Sequence, residues 1–298
     1  MRKKSITIFS LVLFMLSSQI SASTGAYAMS FAELINNPYT ASLANTVTAA
    51  DNTNALFINP ASLSTNLNRH ISAQLFKYIE DVEYKQFQMI QPYWKGSVAL
   101  SYTWLDYGAY QRTTLSDKSG ESSNIIANKG SLLHFAYAKK IRQANVGVSL
   151  KYIEEVLASY KAKAVVMDVG IQKSIKENLV LGMSVSNLSI KKVTFLNDQA
   201  YLRKSARIGI QYLPKLFRNK ITLLTDYVYL EHKSALSYAS IINLHKKLNI
   251  RVGSDQLSDL FNITLGVGIN LGSFDVDISY KNIDHFSDVY RVQIGVRF

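Results

Sequence analysis

The sequence predicts an all-β chain, a single transmembrane antiparallel β-barrel of about 14 strands in a bacterial outer membrane. Three observations predict it. A leader of the export type opens the chain, ten-residue stretches alternate in polarity from residue 70 onward, and every second connection is short.

In the leader, Arg2, Lys3 and Lys4 form a positive n-region, and Ile6–Leu16 is apolar and uncharged. The polar tract after it ends in Ala26-Tyr27-Ala28, the small-x-small form that signal peptidase accepts. Its apolar core falls short of the roughly 20 residues of a spanning helix, which argues against an anchor helix. Residues 1–28 are therefore assigned to a cleaved signal peptide, 29–69 to an N-terminal segment and 70–298 to the barrel.

Composition narrows the class. The 298 residues are 48% apolar and only 18% charged, so much apolar surface must find a place. Yet no apolar run beyond the leader approaches about 20 residues, which excludes a helical membrane protein. The absence of cysteine removes disulfides, thiolate metal sites, cysteine nucleophiles and lipoprotein processing. A net charge of +12 suggests nucleic acid at first sight. The lysines sit in turns, however, with no aromatic-interleaved basic stripe, so no nucleic-acid partner is expected. Anionic outer-membrane lipid beside basic turns, or simple solubility, explains them.

Strands are expected to begin near residues 70, 83, 97, 130, 144, 162, 178, 203, 219, 235, 248, 261, 273 and 288. The last is the clearest: Tyr290, Val292, Ile294, Val296 and Phe298 share one face, and Arg291, Gln293, Gly295 and Arg297 the other. Phe261–Leu271 repeats this, with Ile263, Leu265, Val267, Ile269 and Leu271 opposite Asn262, Thr264, Gly266, Gly268 and Asn270. Ala144–Val165 is the weakest strand reading, because Glu154-Glu155-Val156-Leu157-Ala158 has the propensity of a short helix.

A soluble sandwich alternates as well. The barrel is favoured by a glycine- and charge-rich polar face, as a watery lumen permits, opposite a long apolar face. Loop asymmetry agrees. Trp94-Lys95-Gly96, Arg142-Gln143-Ala144, Lys176-Glu177-Asn178, Leu213–Asn219, Lys246-Lys247 and Gly272-Ser273 are short, whereas Tyr107–Lys129 and Ser189–Leu202 are long. Short periplasmic turns and longer outer loops are the outer-membrane arrangement, with tyrosines, Trp94 and Trp104 as interfacial girdles.

On this register Asp106, Lys151, Asp168, Arg207, Asp226, Arg251, Asp275, Asp277, Arg291 and Arg297 point into the lumen. They form either a solute path or latch, or a satisfied polar interior. The five histidines are scattered, so no metal site is expected, and no cofactor either. No Gly-x-Ser-x-Gly is present, and no enzymatic activity is expected.

Residues 29–69 do not alternate. Small residues from Ala41 to Ala50 lead into Asp51-Asn52-Thr53-Asn54-Ala55-Leu56-Phe57-Ile58-Asn59-Pro60-Ala61-Ser62-Leu63, where Pro60 fixes φ and holds Asn59 extended. This reads as an ordered non-strand element or a plain linker. The same stretch resembles the mature N-terminus of the PorV/PorQ-like proteins, within the FadL-type group of outer-membrane proteins. The resemblance continues through Val98–Tyr102, Val146–Ile153, Leu181–Leu188, Arg207–Tyr212 and Arg291–Phe298. It departs where Ser42-Leu43-Ala44-Asn45 replaces a glycine-rich run and Ser62 replaces a glycine. The resemblance implies a fourteen-stranded barrel with an N-terminal lumenal plug containing Asn59, Pro60 and Ala61. It implies uptake of hydrophobic small molecules, as in FadL, or carriage of secreted protein cargo in type IX secretion, as in PorV. Tyr290, Val292, Ile294, Val296 and Phe298 then look like the signal read by the barrel-assembly machinery. Under the transport alternative, Leu196, Tyr201 and Leu202 of the second long loop would line an apolar pocket.

Overall fold

A computed structural model describes residues 29–298 except 35–36, 66–67, 79–81, 112, 114, 120–124, 159, 192, 196–197, 201, 218–219, 232, 257–261 and 283–287. The leader lies outside the described residues, as do Leu196 and Tyr201.

Fourteen strands close into one antiparallel barrel. In chain order they are β1 (His70–Lys77), β2 (Glu83–Tyr93), β3 (Gly96–Gln111), β4 (Ile125–Ile141), β5 (Ala144–Leu157), β6 (Tyr160–Lys176) and β7 (Leu179–Lys191). After a small hairpin, β8 (Val193–Phe195) with β9 (Asp198–Ala200), the wall resumes. Its second half is β10 (Ser205–Tyr212), β11 (Ile221–Leu230), β12 (Lys233–His245), β13 (Leu248–Asp255), β14 (Asn262–Leu271), β15 (Phe274–Lys281) and β16 (Val289–Arg297). Pairing of β1 with β16, from His70↔Arg297 to Phe76↔Arg291, closes the wall. Closure leaves no row of unpaired backbone groups at an edge.

The alternation sorts side chains cleanly. Along β16, Val292 and Ile294 are exposed outward while Arg291 and Gln293 are buried inward. Along β5, Val148, Leu150 and Tyr152 face out, and Gly147, Ser149, Lys151 and Ile153 face in. The outer face of β6 runs Val165, Met167, Val169, Ile171 and is bounded by exposed Lys163 and Lys173. Glu154–Leu157, open to a helical reading in the sequence, continues β5, and the chain reverses at Ala158 with φ +54. Alternating contacts on a pleated sheet override the weak helical propensity of two glutamates.

The two ends of the barrel differ. At one end, two-residue links at Trp94-Lys95, Arg142-Gln143, Glu177-Asn178, Lys246-Lys247 and Gly272-Ser273 join consecutive strands, with Leu213–Lys220 the longer exception. Glu177 is the one carboxylate in the sequence of these links, against Lys95, Arg142, Lys215, Arg218, Lys220, Lys246 and Lys247. At the other end β3 to β6 run 14–17 residues, longer than their neighbours, and project beyond the apolar belt. Much of the predicted Tyr107–Lys129 loop is therefore strand. Among the described residues no helix is long and apolar enough to cross a membrane.

Candidate functional site

The barrel interior is occupied. Residues 29–65 carry short helical turns at Ser30–Leu34, Pro38–Ser42, Thr53–Phe57 and Pro60–Thr65, and most of their side chains are buried. The prolines at 38 and 60 each open a turn, where a missing N–H costs nothing. Asn37 caps the first of these two by accepting from Thr40 N at 2.9 Å, and its amide reaches Asn54 O at 2.7 Å.

Midway down the barrel, Asn59 organises the chain around it. Its Nδ2 donates to Thr48 O at 2.7 Å, and its Oδ1 accepts from Ala61 N at 3.0 Å. From β6, Gln172 Nε2 donates to the carbonyls of Thr48 and Ala50 at 3.1 and 3.0 Å. From β11, Asp226 Oδ2 accepts from both Thr48 N and Thr48 Oγ1, at 3.1 and 2.7 Å. On the opposite wall Thr264 Oγ1 donates to Ser42 O at 2.9 Å and accepts from Ala44 N at 3.1 Å. A backbone shorn of regular structure thus has its polar groups matched by the wall, as burial requires.

Inward glycines make this approach possible. A Cβ at Gly147 would overlap the Pro60–Ala61 backbone, one at Gly182 the carbonyl of Thr48, and one at Gly253 the backbone of Leu43. Sequence alternation placed these glycines on the polar face as a feature of a watery lumen; they are instead the contact surface for packed chain. Gln172 and Thr264, equally important here, carry no signal beyond their position on that face.

The inward charges are mostly paired. Lys151 Nζ lies 2.6 Å from Asp168, which also accepts from Ser149 Oγ at 2.9 Å and from Asn187 N at 2.8 Å. Arg207 lies 4.0 Å from Asp226 and donates to Asn45 O at 3.1 Å. Arg251 contacts Asp277 at 2.5 Å and sits 5.2 Å over the ring of Tyr39, whose phenol burial pushes well above its ordinary range. Asp275 meets His70 at 3.0 Å and Arg297 at 3.3 Å, the latter half-exposed at the barrel rim. Arg291 stacks 4.2 Å over Phe76. Asp106 is a correction: it faces outward with Tyr102 and Trp104, because Thr103 and Leu105 hold the inward positions of β3. There its carboxylate accepts from Gly108 N at 2.9 Å, where a bulge begins.

Toward the long-loop end the interior changes character. Phe31, Leu56, Phe57 and Leu63 pack against Phe76, Tyr84, Leu105, Leu132, Ile153 and Leu202 in one buried apolar cluster. Phe57 stacks on His134 at 4.8 Å, and Phe31 meets Tyr107 edge-on at 6.4 Å. Leu202, expected in a loop pocket, belongs to this cluster. Beside it lies a cavity of about 140 Å³, with Ala32, Phe57, Ile58, Leu132 and Leu230 opposite Lys151, Asn187, Arg203 and Arg207. A second, of about 100 Å³, lies between Asn45, Tyr78, Asp255 and Arg291.

The barrel-assembly residues of the sequence reading, Tyr290, Val292, Ile294, Val296 and Phe298, share the outward face of β16 and its end. Among the described residues no three His, Asp or Glu side chains converge as a metal would require.

No protein-family model matches the chain, and no curated protein matches it. Solved structures do. The toluene transporter TbuX of Ralstonia pickettii aligns at a TM-score of 0.62 and 12% identity, covering 88% of this chain and 98% of that one. CymD, a monoaromatic hydrocarbon channel, aligns at 0.62 and 11%, covering 92% and 99%. A FadL homologue of Pseudomonas aeruginosa aligns at 0.57 and 10%, covering 88% and 98%. At such identities the likeness is one of fold, and what the chain shares with these proteins is a closed antiparallel barrel of their architecture.

Proposed function

We propose that this protein spans a bacterial outer membrane and passes a small hydrophobic solute across it, residues 29–65 forming a lumenal plug. The observation that carries the reading is a buried apolar cluster along the β1–β6 side of the interior. It reaches from Ile90 and Ala138 near the short links to Phe31, Phe76 and Tyr84 toward the long-loop end, beside the paired charges Lys151–Asp168 and Arg251–Asp277. A dry, apolar floor beneath the outer loops is where an apolar solute would leave water. The adjoining cavity, about 140 Å³, has room for a single small ring and sets Phe57, Leu132 and Leu230 against Glu33, Lys151, Arg203 and Arg207. Similarity to barrels described as a toluene transporter and a monoaromatic hydrocarbon channel supports the same solute class. The outward apolar belt, bounded on β6 by Lys163 and Lys173, supports the membrane location, and the leader supports export.

The test is uptake of radiolabelled toluene by cells that carry the protein, against Leu132→Asp. The aspartate places an unpaired charge in the apolar cluster, so uptake per folded, heat-modifiable molecule should fall, with the folded amount measured in both strains. Equal uptake by both strains would sink the reading.

A second reading, an accessory to protein export of the PorV type, is favoured by the projecting β3–β6 wall. Its outer surface interleaves Lys129, Glu154, Lys161 and Lys163, continued on β2 by Glu83 and Lys85, a polar platform for a protein. A secreted protein copurifying near stoichiometry, with no solute uptake, would select this reading over the first.

A further inference from the structure

The short-link end of the barrel carries an arc that solute passage does not use. The links β2–β3, β4–β5 and β6–β7 stand side by side along one half of that rim. They bring together Trp94, Lys95, Lys139, Arg142, Lys173 and Lys176, with Glu177 the one carboxylate in the three links. Among the described residues none of these five cations makes an ion pair, whereas at the opposite rim Lys85 meets Glu83 at 2.8 Å and Lys161 meets Glu154 at 2.6 Å. The half of the short-link rim that carries this arc is built differently from the opposite rim, although elsewhere on the short-link rim Arg297 is paired with Asp275.

Backbone geometry adds an independent observation. Trp94 and Lys95 both have positive φ, +35 and +62, and Arg142 has +57. A two-residue hairpin link of this hand favours Asn-Gly, since large side chains in left-handed backbone carry strain. Here a tryptophan, a lysine and an arginine occupy those positions. Contacts hold the first of them in place: Tyr137 Oη donates to Trp94 O at 3.1 Å, and Lys139 Nζ sits 5.8 Å over the indole, which is 74% exposed. Strain retained for exposed side chains points to what those side chains touch.

We propose that this arc binds the head groups of anionic phospholipid, of the phosphatidylglycerol class, in the leaflet at the short-link end. The proposal rests on the membrane reading above. Lys139 and Lys173 lie outward near the short-link ends of β4 and β6, with exposed Ile141 and Ile175–Lys176 of those strands beyond them, at the rim where head groups would lie. An indole at that depth is amphipathic in the way the interface favours, and unpaired ammonium and guanidinium groups complement phosphate. Phospholipid is favoured over an acidic protein because the cations line the wall's outer edge as well as its end.

The test takes the full chain inserted into vesicles of mixed phosphatidylcholine and phosphatidylglycerol, extracts it in mild detergent, and counts retained lipids by native mass spectrometry. The wild type should retain phosphatidylglycerol over phosphatidylcholine, and high salt should release it. Removing four cations, as Lys139→Gln, Arg142→Gln, Lys173→Gln and Lys176→Gln, should weaken retention about fivefold per charge. The matching set at the far rim, Lys85→Gln, Lys129→Gln, Lys161→Gln and Lys163→Gln, should leave retention unchanged. Lys95→Gly separates binding from folding: glycine relieves the turn and should steady the fold, yet retention should drop. Equal retention of both lipids, equal loss from both sets, or undiminished retention by Lys95→Gly would overturn the proposal. Failure to insert into either kind of vesicle would overturn the membrane reading first, and this inference with it.

Discussion

Asp226 of the barrel wall holds Thr48 of the N-terminal segment by two hydrogen bonds to a single carboxylate oxygen, one from the backbone N–H and one from the hydroxyl. Few contacts tie the two parts of the chain more directly. Replacing Asp226 with alanine strands two buried donors and deprives Arg207 of its carboxylate, a loss of about 1–3 kcal/mol for the unmet donors alone. The barrel should still form, while residues 29–65 become cleavable by protease. Protection as complete as in the wild type would refute the latch role of Asp226.

Gly147→Val and Gly182→Val should evict the segment outright, since each new Cβ overlaps backbone that has nowhere to move. Planar-bilayer recordings would show a conducting pore where the wild type conducts little. Gly272→Ala is the control. At φ +85 in an open turn it should cost about 1–2 kcal/mol of backbone strain and leave conductance unchanged. Silent Gly147 and Gly182 variants would mean that the interior is looser than its contacts indicate.

Lys151 and Asp168 are buried at 2.6 Å, so removing one partner leaves a charge without a counterpart. Lys151→Met should cost about 3–5 kcal/mol, whereas Lys151→Met with Asp168→Leu should recover most of that loss. Denaturant titration of the folded, heat-modifiable band gives both numbers, and a double variant as weak as the single would contradict the pairing argument.

Ile294 lies outward on β16, 55% exposed in the isolated chain, where lipid would cover it. Ile294→Lys should cost about 2–4 kcal/mol if the residue lies near the bilayer midplane. Tolerance of lysine there would place the belt elsewhere.

Deleting Phe298 should reduce the amount of heat-modifiable protein in the outer membrane without altering the fold of the molecules that reach it. Unchanged amounts would argue against an assembly signal in Tyr290–Phe298.

Much of this architecture is legible in the sequence because period-two alternation is enforced residue by residue where the two faces of a closed wall meet opposite chemistry. Starts expected at 70, 83, 144 and 248 coincide with β1, β2, β5 and β13. What escapes is whatever depends on the partner surface. Asp106 lies beyond the belt, where alternation still holds but polarity no longer reports direction, and one miscounted residue reversed its face. The β8–β9 hairpin is only three residues a side, too short for a period-two pattern to announce it. The interior glycines were visible on the right face, yet only the path of residues 29–65 reveals what they accommodate. Lining residues such as Gln172 were invisible for the same reason.

The seam between β1 and β16 gives this arrangement an order in time. The strand that follows the N-terminal segment pairs with the last strand made, so the ring cannot shut until the whole wall exists. Residues 29–65 contact β5, β6, β11, β13 and β14 in turn, a chain of long-range encounters that folding must complete slowly. Nesting before the seam shuts would make the segment a former around which the sheet curls. A variant lacking residues 29–65 should then close more slowly than the full chain, as refolding into detergent micelles would measure, and equal rates would dismiss the former.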